Sequence, residues 1–458
     1  MLAEVADQNL LASREILLAT RKSVLVVRVT GMMLQTGLIE DLCVGAICYA
    51  GYEGEVPCEV VGFDQQHCYF MALRPLTNVG PGTPVHLPAS ASRHSPPEVA
   101  NKMLGRVLDG LGSPLDGSHP VAPGVVDFGD FPAINPLQRM PIEEPLDTGI
   151  AAINGLLTVG VGQRVGIFAG SGVGKSVLLG MLARFVKADV VVIGLIGERG
   201  REVQEFVEDN LGDALRHSVV IASPADDSPA LRLRASRLAT QVAESFRAQG
   251  QKVLLLFDSL TRVAQAQREI GLAMGEPATS KGYPPSAFAL LPRLVERAGC
   301  ESRGKTGAIS AFYTVLAEED DLQDPVVDAS RAILDGHIVL NRRLSEMGIY
   351  PAIDVAQSVS RLMQRLSTAE QQSQVRRFRQ LWQTYSEQQD LINVGAYRPG
   401  SDPVIDDAVR YHSDMCEFLR QRSDECVSLV DADLQVKNLF TAPPIEPQGA
   451  IPRLEPAP

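Results

Sequence analysis

The sequence predicts an α/β protein whose doubly wound parallel sheet is preceded by a small β domain and followed by helices. Between residues 150 and 360, apolar runs of strand length alternate with helical stretches such as 229–249. Runs with almost no polar residues are typical of parallel strands that are buried on both faces. We expect these strands at residues 164–169, 190–197, 219–223, 252–258, 308–316 and 337–340.

The chain on either side of this region has different sequence patterns. After Val24, short β-rich runs such as VLVVRV and CYFMAL are separated by Gly and Pro, which predicts a small barrel or sandwich that ends near Pro88. Residues 2–20 have helical apolar spacing and predict an amphipathic segment, which either docks on its own domain or binds another protein. Helical patterns begin at Ala369, and a polar, proline-rich tail that we expect to be disordered closes the chain. We therefore predict units at residues 1–20, 21–90, 91–365, 366–440 and 441–458.

Composition limits the possible functions. The 458 residues carry 42 basic and 55 acidic side chains, a net charge of −13, which argues against a chain-wide affinity for nucleic acid or anionic membranes. The seven cysteines form no C-x-x-C pair, so we expect core thiols in a reducing compartment and no zinc site. No window of about 18 residues is apolar and free of charge, and the N-terminus lacks a secretory signal pattern. We expect a cytoplasmic protein.

A glycine-rich stretch, AGSGVGKS, lies between a predicted strand and a predicted helix. Its glycines allow successive backbone N–H groups to face an anion, and the following helix directs its positive end at the same point. The lysine can bridge terminal phosphates, and the last serine can bind Mg²⁺. The stretch is a Walker A phosphate loop with alanine at its first position, and we expect nucleotide binding by Ala169, Gly170, Ser171, Gly172, Val173, Gly174, Lys175 and Ser176.

Carboxylates follow two further predicted strands. Asp258 ends the run KVLLLFD and would face the crevice at the carboxyl edge of the sheet, where it can hold Mg²⁺. The alternative for Asp258 is a helix cap in the following turn. The loop GERGRE, at 197–202, offers two glutamates as hydrolytic carboxylates and two arginines as phosphate partners. Composition alone does not rank these four side chains.

Seven motifs in order resemble the type III secretion ATPases, relatives of the catalytic subunit of rotary ATP synthases. The motifs include GLIGERGREV, LLFDSLTRVAQAQREI, ILDGHIVL and GIYPAIDVAQSVSR, and the resemblance extends over residues 20 to 440. Two further stretches, NPLQRMPIEEPLDTGIAAINGLLTVG and LINVGAYRPGSDPVIDDAV, resemble the flagellar export ATPases most, with the virulence-type injectisome ATPases as the alternative. The resemblance implies an N-terminal β-barrel, a RecA-like ATPase core and a helical C-terminal domain.

The resemblance also assigns roles. It implies that Glu198 activates the attacking water and that Asp258 is the metal-associated acid, with ATP and Mg²⁺ as the bound groups. Arg199 and Arg262 fall on arginines near the phosphates. Tyr350 falls on the aromatic residue that stacks on adenine, and Arg361 on the arginine that is supplied to the neighbouring subunit of a homohexameric ring.

The family implies several partners: a stator-like regulator at the N-terminus, export-gate and stalk proteins, and chaperone–substrate complexes, with peripheral contact to the membrane export apparatus. Three other functions are less consistent with the sequence. A non-catalytic ring subunit is disfavoured because Glu198 is not glutamine. A nucleic-acid translocase is disfavoured because residues 20–88 contain few aromatic and basic side chains. A rotary ATP synthase subunit fits the flagellar-like stretches less well.

Overall fold

The computed structural model describes residues 22–40, 42–87, 95–122, 124–129, 131–170, 172–317 and 324–440. The predicted amphipathic segment 2–20 and the predicted tail 441–458 lie outside the described residues. The boundaries of the five predicted units stay predictions.

The first six strands close a barrel in the order β1-β2-β5-β4-β3-β6. Val26, Leu34, Val60 and Phe70 are fully or almost fully buried inside it. The barrel is the N-terminal domain that the sequence predicts, although the short strands β2 and β6 were not predicted. The strands are β1 (Ser23–Thr30), β2 (Met33–Gly37), β3 (Ile47–Ala50), β4 (Val56–Phe63), β5 (His67–Ala72) and β6 (Pro84–His86).

The cysteines confirm the prediction of core thiols only in part. Cys48 and Cys58 face each other across β3 and β4 and are buried, and burial raises the pKa of Cys48 to about 12, which keeps this thiol protonated. Cys43 and Cys426 are exposed, so for these two the prediction is wrong. The sequence around these two cysteines does not indicate their exposure, because a single cysteine does not establish a pattern of buried and exposed positions. The described residues contain no cluster of His, Cys, Asp and Glu that could hold a metal ion.

The remaining strands form one sheet, in the order β15-β14-β8-β13-β11-β9-β10-β7, with β12 paired to β13. Strands β8, β9, β10 and β11 each run parallel to both of their neighbours. Two pairs are antiparallel: β15 with β14, and β12 with β13. The parallel sheet confirms the predicted fold class. The strands are β7 (Arg106–Leu108), β8 (Arg164–Ala169), β9 (Val190–Ile196), β10 (Ser218–Ser223), β11 (Lys252–Asp258), β12 (Gly299–Cys300), β13 (Ala308–Leu316), β14 (Gly336–Leu340) and β15 (Ile353–Ser360).

Helices cover both faces of this sheet. In the described part of the chain, no helix is long and apolar enough to span a membrane. The helices are α1 (Glu98–Lys102), α2 (Ala151–Leu156), α3 (Lys175–Phe185), α4 (Gly200–Glu205), α5 (Pro229–Ala248), α6 (Leu260–Ala273), α7 (Pro285–Val295), α8 (Pro325–Ile333), α9 (Arg342–Glu346), α10 (Met363–Leu366), α11 (Ala369–Asn393), α12 (Pro403–Leu419) and α13 (Leu429–Leu439). One apolar core joins the sheet to α2, α3 and the C-terminal helices, and a second joins its other face to α5, α6, α7 and α8.

The barrel is fixed to the sheet domain by apolar and ionic contacts. Met71 and Leu73 of the barrel pack with Leu231 of α5 and Ile270 of α6. Ion pairs join Glu59 to Arg237 and Arg74 to Asp109 across the same boundary. A buried apolar contact flanked by ion pairs sets the orientation of the barrel against α5 and α6.

Candidate active site

The phosphate loop leaves the sheet at the end of β8 and leads directly into α3. Gly172 and Gly174 have φ values of +77° and +92°, a region that glycine enters without steric cost. Gly174 is the N-cap of α3, and Lys175 is the first residue of that helix. Ser171 lies outside the described residues. The loop therefore places the positive end of an 11-residue helix and the Lys175 side chain at the carboxyl edge of the sheet.

Lys175 joins two carboxylates at this edge. Its Nζ lies 2.7 Å from Oδ1 of Asp258 and 3.1 Å from Oε1 of Glu198. All three side chains are largely buried, with exposed fractions of 12%, 5% and 11% for Lys175, Asp258 and Glu198. Burial acts to lower the pKa of Lys175, but the two carboxylates outweigh it and hold that pKa above the usual lysine value. The predicted residues on β11, on the loop after β9 and on α3 therefore form one cluster.

Asp258 has a second partner that the sequence reasoning missed. The hydroxyl of Thr314, a fully buried residue of β13, donates to Oδ1 of Asp258 over 2.5 Å. Burial raises the pKa of Asp258 above the ordinary carboxyl value, and the nearby Glu198 adds to this, while Lys175 and Thr314 oppose it. No sequence signal singles out Thr314, because threonine in a buried strand is common. The helix-cap alternative for Asp258 does not hold, since the N-cap of α6 is Ser259.

Glu198 is positioned by a tight turn after β9. Gly197 has φ +75°, and a Cβ added there would lie 2.7 Å from Cβ of Arg262. Only glycine therefore fits between the turn and the Arg262 side chain. The N–H of Gly197 donates to the carbonyl of Ser223, and the carbonyl of Glu198 accepts from the N–H of Ala225, so both ends of the turn are fixed.

The two predicted phosphate arginines differ in position. Arg262 lies against the Glu198 turn and donates from Nη1 to Oε1 of Gln265, while its Nε is buried and has no hydrogen-bond partner in the described part of the chain. Arg199 is the N-cap of α4, and 81% of its side chain is exposed. The structure therefore places Arg262 against the turn that positions Glu198 and directs Arg199 to solvent.

Tyr350 lies beside the phosphate loop. A Cβ added at Gly174 would be 3.6 Å from two carbons of the Tyr350 ring, and the Tyr350 hydroxyl pairs with Oγ of Ser345 at 2.7 Å. Tyr350 is 46% exposed, which leaves room for a planar ligand beside its ring. The Tyr350 carbonyl accepts from the N–H of Gln421, in the segment that follows α12.

Gln421 is a second residue that the sequence reasoning missed. It is 6% exposed, its Oε1 accepts from the N–H of Ala151 over 2.8 Å, and its Nε2 donates to the carbonyls of Gly149 and Glu425. It therefore fastens the C-terminal helices to the start of α2 beside Tyr350. Ala151 lies 270 positions from Gln421 in the chain, so no local sequence pattern could indicate this contact.

Arg361 lies at the opposite edge of the sheet. Its N–H donates to the carbonyl of Asp335, whose N–H donates to the carbonyl of Arg164 at the start of β8. The phosphate loop begins at the other end of β8, about 16 Å away at about 3.3 Å per residue. Nη2 of Arg361 donates to the Arg331 carbonyl, so the side chain has no part in its own subunit's Lys175 cluster.

The donor set at the cluster fits a hard divalent cation. Asp258 of the cluster and the half-buried Ser176, which follows Lys175 in the chain, offer oxygen atoms, which are the ligands that Mg²⁺ prefers. A cationic ammonium group already lies between the Asp258 and Glu198 carboxylates, which shows that this position favours positive charge.

Comparison with known proteins agrees with this geometry. Residues 149–360 match the nucleotide-binding domain of the ATP synthase alpha/beta family, and residues 367–436 match the C-terminal domain of the type III secretion ATPase EscN. The flagellum-specific ATP synthase of Pseudomonas aeruginosa is 52% identical over 419 residues, which cover 90% of this chain and 92% of the relative.

Solved structures extend the similarity to the whole fold. The assembled EscN ATPase of the enteropathogenic E. coli type III secretion system is 37% identical with a TM-score of 0.83, over 91% of this chain and 99% of that chain. EscN in complex with its central stalk EscO is 36% identical with a TM-score of 0.79, over 91% and 99%. The chain therefore belongs to the type III secretion ATPases and is an ATPase built on the ATP synthase alpha/beta nucleotide-binding domain.

Proposed function

We propose that the chain hydrolyses ATP, with Mg²⁺, in a homohexameric ring that energises type III export of flagellar proteins. The observation that carries the proposal is the buried cluster in which Lys175 of the phosphate loop bridges Glu198 and Asp258. Greater similarity to the flagellum-specific relative than to EscN supports the flagellar assignment.

In this proposal the N–H groups of the phosphate loop and the Lys175 ammonium hold the β- and γ-phosphates. Glu198 accepts the proton of the attacking water at Oε1 or Oε2 while the phosphoryl group is held in line. Ser176 and Asp258 hold Mg²⁺, which when bound neutralises charge on the phosphate oxygens. The Tyr350 ring stacks on adenine, since it lies beside Gly174 and is open to solvent.

Arginines complete the site from two directions. The Nε of Arg262 lies next to the Glu198 turn, has no hydrogen-bond partner among the described residues and suits a phosphate oxygen. Arg199 reaches the phosphates only if its exposed side chain turns inward. Arg361 lies far from its own phosphate loop, so in the proposed ring it serves the neighbouring subunit's nucleotide. Such an arginine stabilises charge that develops in the transition state.

We further propose that the ring works in the cytoplasm, at the base of the membrane export apparatus. A central stalk partner is supported by the similarity to EscN in complex with EscO. A stator-like regulator at residues 2–20, export-gate proteins and chaperone–substrate complexes follow from the family resemblance. No contact with nucleic acid is proposed.

The test is Glu198→Gln in the chromosomal gene of the source organism, with Glu202→Gln as a control in the next helix. We expect normal protein level, bound ATP, loss of hydrolysis, and cells that neither assemble filaments nor swim. The Glu202→Gln cells should swim. Loss of hydrolysis with normal swimming would contradict the flagellar assignment and favour an injectisome, whereas unchanged hydrolysis would contradict the role of Glu198.

A further inference from the structure

A cavity of about 790 Å³ lies on the opposite side of the molecule from the Lys175 cluster. Its walls are one face of α5, the end of α7, the segment 132–139 and the side chain of Arg164. Arg164 opens β8, so the length of that strand, about 16 Å, separates the cavity from the phosphate loop. A volume of this size is within the range of small-molecule sites.

The cavity is lined by six arginines and two glutamates: Arg139, Arg164, Arg237, Arg247, Arg293, Arg297, Glu244 and Glu296. Four of the guanidinium groups are neutralised by carboxylates. Arg247 pairs with Glu301 at 3.0 Å, and Arg164 pairs with Asp335 at 2.8 Å and with Glu296 at 2.6 Å. Arg297 and Arg237 pair with Glu244 and Glu59. Four of the six arginines therefore have carboxylate partners that offset their charge.

Arg139 is not neutralised in this way. Its Nη1 donates to the carbonyl of Ala298 over 2.6 Å and its Nη2 to the carbonyl of Glu296 over 3.2 Å, and it forms no ion pair within the described ranges. Burial, with Arg247 and Arg164 nearby, lowers the pKa of Arg139, while the Glu296 carboxylate opposes this. Removal from water is the main cause, and an anion bound beside Arg139 would offset that cost.

Arg293 is the second unneutralised group. It follows Pro292 in the last turn of α7, its side chain is exposed, and it pairs with no carboxylate in the part of the chain that the structure describes. Apolar side chains of Ile134, Leu290 and Leu294 form the wall between the charged groups. The cavity thus offers an apolar surface with two unneutralised cationic groups, which suits a ligand that has an apolar body and an anionic group.

We propose that this cavity binds a small organic anion, a phosphate ester or carboxylate with an apolar body, through Arg139 and Arg293. The site is separate from the nucleotide site, and the proposal does not depend on the proposed function. Guanidinium groups bind both oxyanions in two-point geometry, so the two ligand sources share the same recognition chemistry.

The experiment is calorimetric titration of the full chain with phenyl phosphate, in saturating MgADP so that the phosphate loop is occupied. Benzoate, inorganic phosphate and phenol are titrated in parallel. We expect phenyl phosphate to bind more tightly than inorganic phosphate and phenol. Benzoate binding comparable to phenyl phosphate would assign the site to carboxylates as well as phosphates, and weaker benzoate binding would assign it to phosphate esters.

Arg293→Gln is the main variant, because this exposed side chain forms no hydrogen bond or ion pair with the residues that the structure describes, and Arg139→Gln is the second. Each should weaken phenyl phosphate binding about tenfold or more, the range expected for loss of a charge-assisted hydrogen bond. Arg376→Gln, the same change on an exposed arginine of α11, should have no effect. Equal binding by all variants, inorganic phosphate binding as tightly as phenyl phosphate, or no binding once MgADP is present would each overturn the proposal.

Discussion

The ammonium group of Lys175 lies 2.7 Å from Oδ1 of Asp258 and gives this buried carboxyl group a cationic partner beside Glu198. One side chain thus binds the phosphate loop to two strands of the sheet. A phosphate that accepts hydrogen bonds from Lys175 competes with both carboxylates, so nucleotide binding and the arrangement of Glu198 and Asp258 are coupled through this ammonium group.

We expect Lys175→Met to weaken ATP binding by about 100-fold or more, because charge-assisted hydrogen bonds to the phosphates are lost. The free energy of unfolding should also fall, since two buried carboxylates lose their cation. Binding of a fluorescent ATP analogue and urea unfolding measure the two effects. Lys187→Met is the control, because its side chain is 78% exposed. Wild-type affinity in Lys175→Met would contradict the phosphate role of this residue.

Thr314→Val removes the hydroxyl that donates to Asp258 and lowers its pKa. The pKa of Asp258 should therefore rise further, and the acid limb of the pH profile of kcat/KM should move to higher pH. Loss of the buried hydrogen bond should cost about 1–3 kcal/mol of unfolding free energy. An acid limb that stays in place while stability falls would limit Thr314 to a structural role.

The raised pKa of Asp258 has a consequence for the stability of the nucleotide-free protein. A carboxyl group whose pKa is higher in the folded than in the unfolded state binds an extra proton on folding between the two values. Its contribution to stability is therefore present below the unfolded pKa of about 3.9 and is lost as pH rises through the folded pKa. Asp258→Asn should lack this decline, which urea unfolding at a series of pH values would measure. A variant that retains the wild-type slope would assign the decline to other groups.

Mixed rings test the trans position of Arg361. Arg361→Ala and Glu198→Gln should each abolish hydrolysis, yet a mixture contains interfaces at which an intact Glu198 meets an intact Arg361. With random assembly of equal amounts, about one quarter of interfaces are intact on both sides in a ring of head-to-tail contacts. ATPase assays on subunits mixed before assembly should recover activity near that fraction. No recovery in rings that are shown to be mixed, by co-purification of two differently tagged variants, would mean that the two residues act within one subunit.

Gly197→Ala tests the turn that positions Glu198. The new Cβ would lie 2.7 Å from Cβ of Arg262, on a backbone with φ +75°, so the turn must shift. We expect at least about tenfold slower hydrolysis and about 1–3 kcal/mol lower stability. Gly200→Ala is the matched control three residues later, because nothing lies within 4 Å of the added Cβ. Equal rates in the two variants would show that the turn tolerates displacement.

Strands β8, β9, β10, β11, β13 and β14 could be predicted because burial on both faces requires long apolar runs. Three strands of the sheet escaped prediction for physical reasons. β7 has only three residues within a stretch rich in turn-forming residues, β12 has only two residues, and β15 is an edge strand whose apolar residues are interrupted by polar ones. The pairing of each is decided by the rest of the sheet and not by its own sequence.

The candidate site likewise contains residues with a local sequence signature and residues that depend on distant partners. Lys175 and Asp258 could be predicted because a glycine-rich loop and the end of a buried strand have local signatures. Glu198 needed the family resemblance, since charged loops are common. Thr314 and Gln421 act only through distant partners, so only the folded chain reveals them.

Backbone hydrogen bonds join Arg361 through Asp335 to Arg164 and so hold Arg361 away from its own phosphate loop. This position affects how many catalytic centres an assembly of chains contains. If each working centre takes its phosphate loop from one chain and its arginine from the next, a lone chain has no centre, an open arc of n chains has n − 1, and a closed ring has n. Total turnover should then rise more steeply than linearly with the concentration of chains, until ring closure adds the last centre. A cell could switch export on by gathering chains at one place, with no inhibitor and no chemical modification.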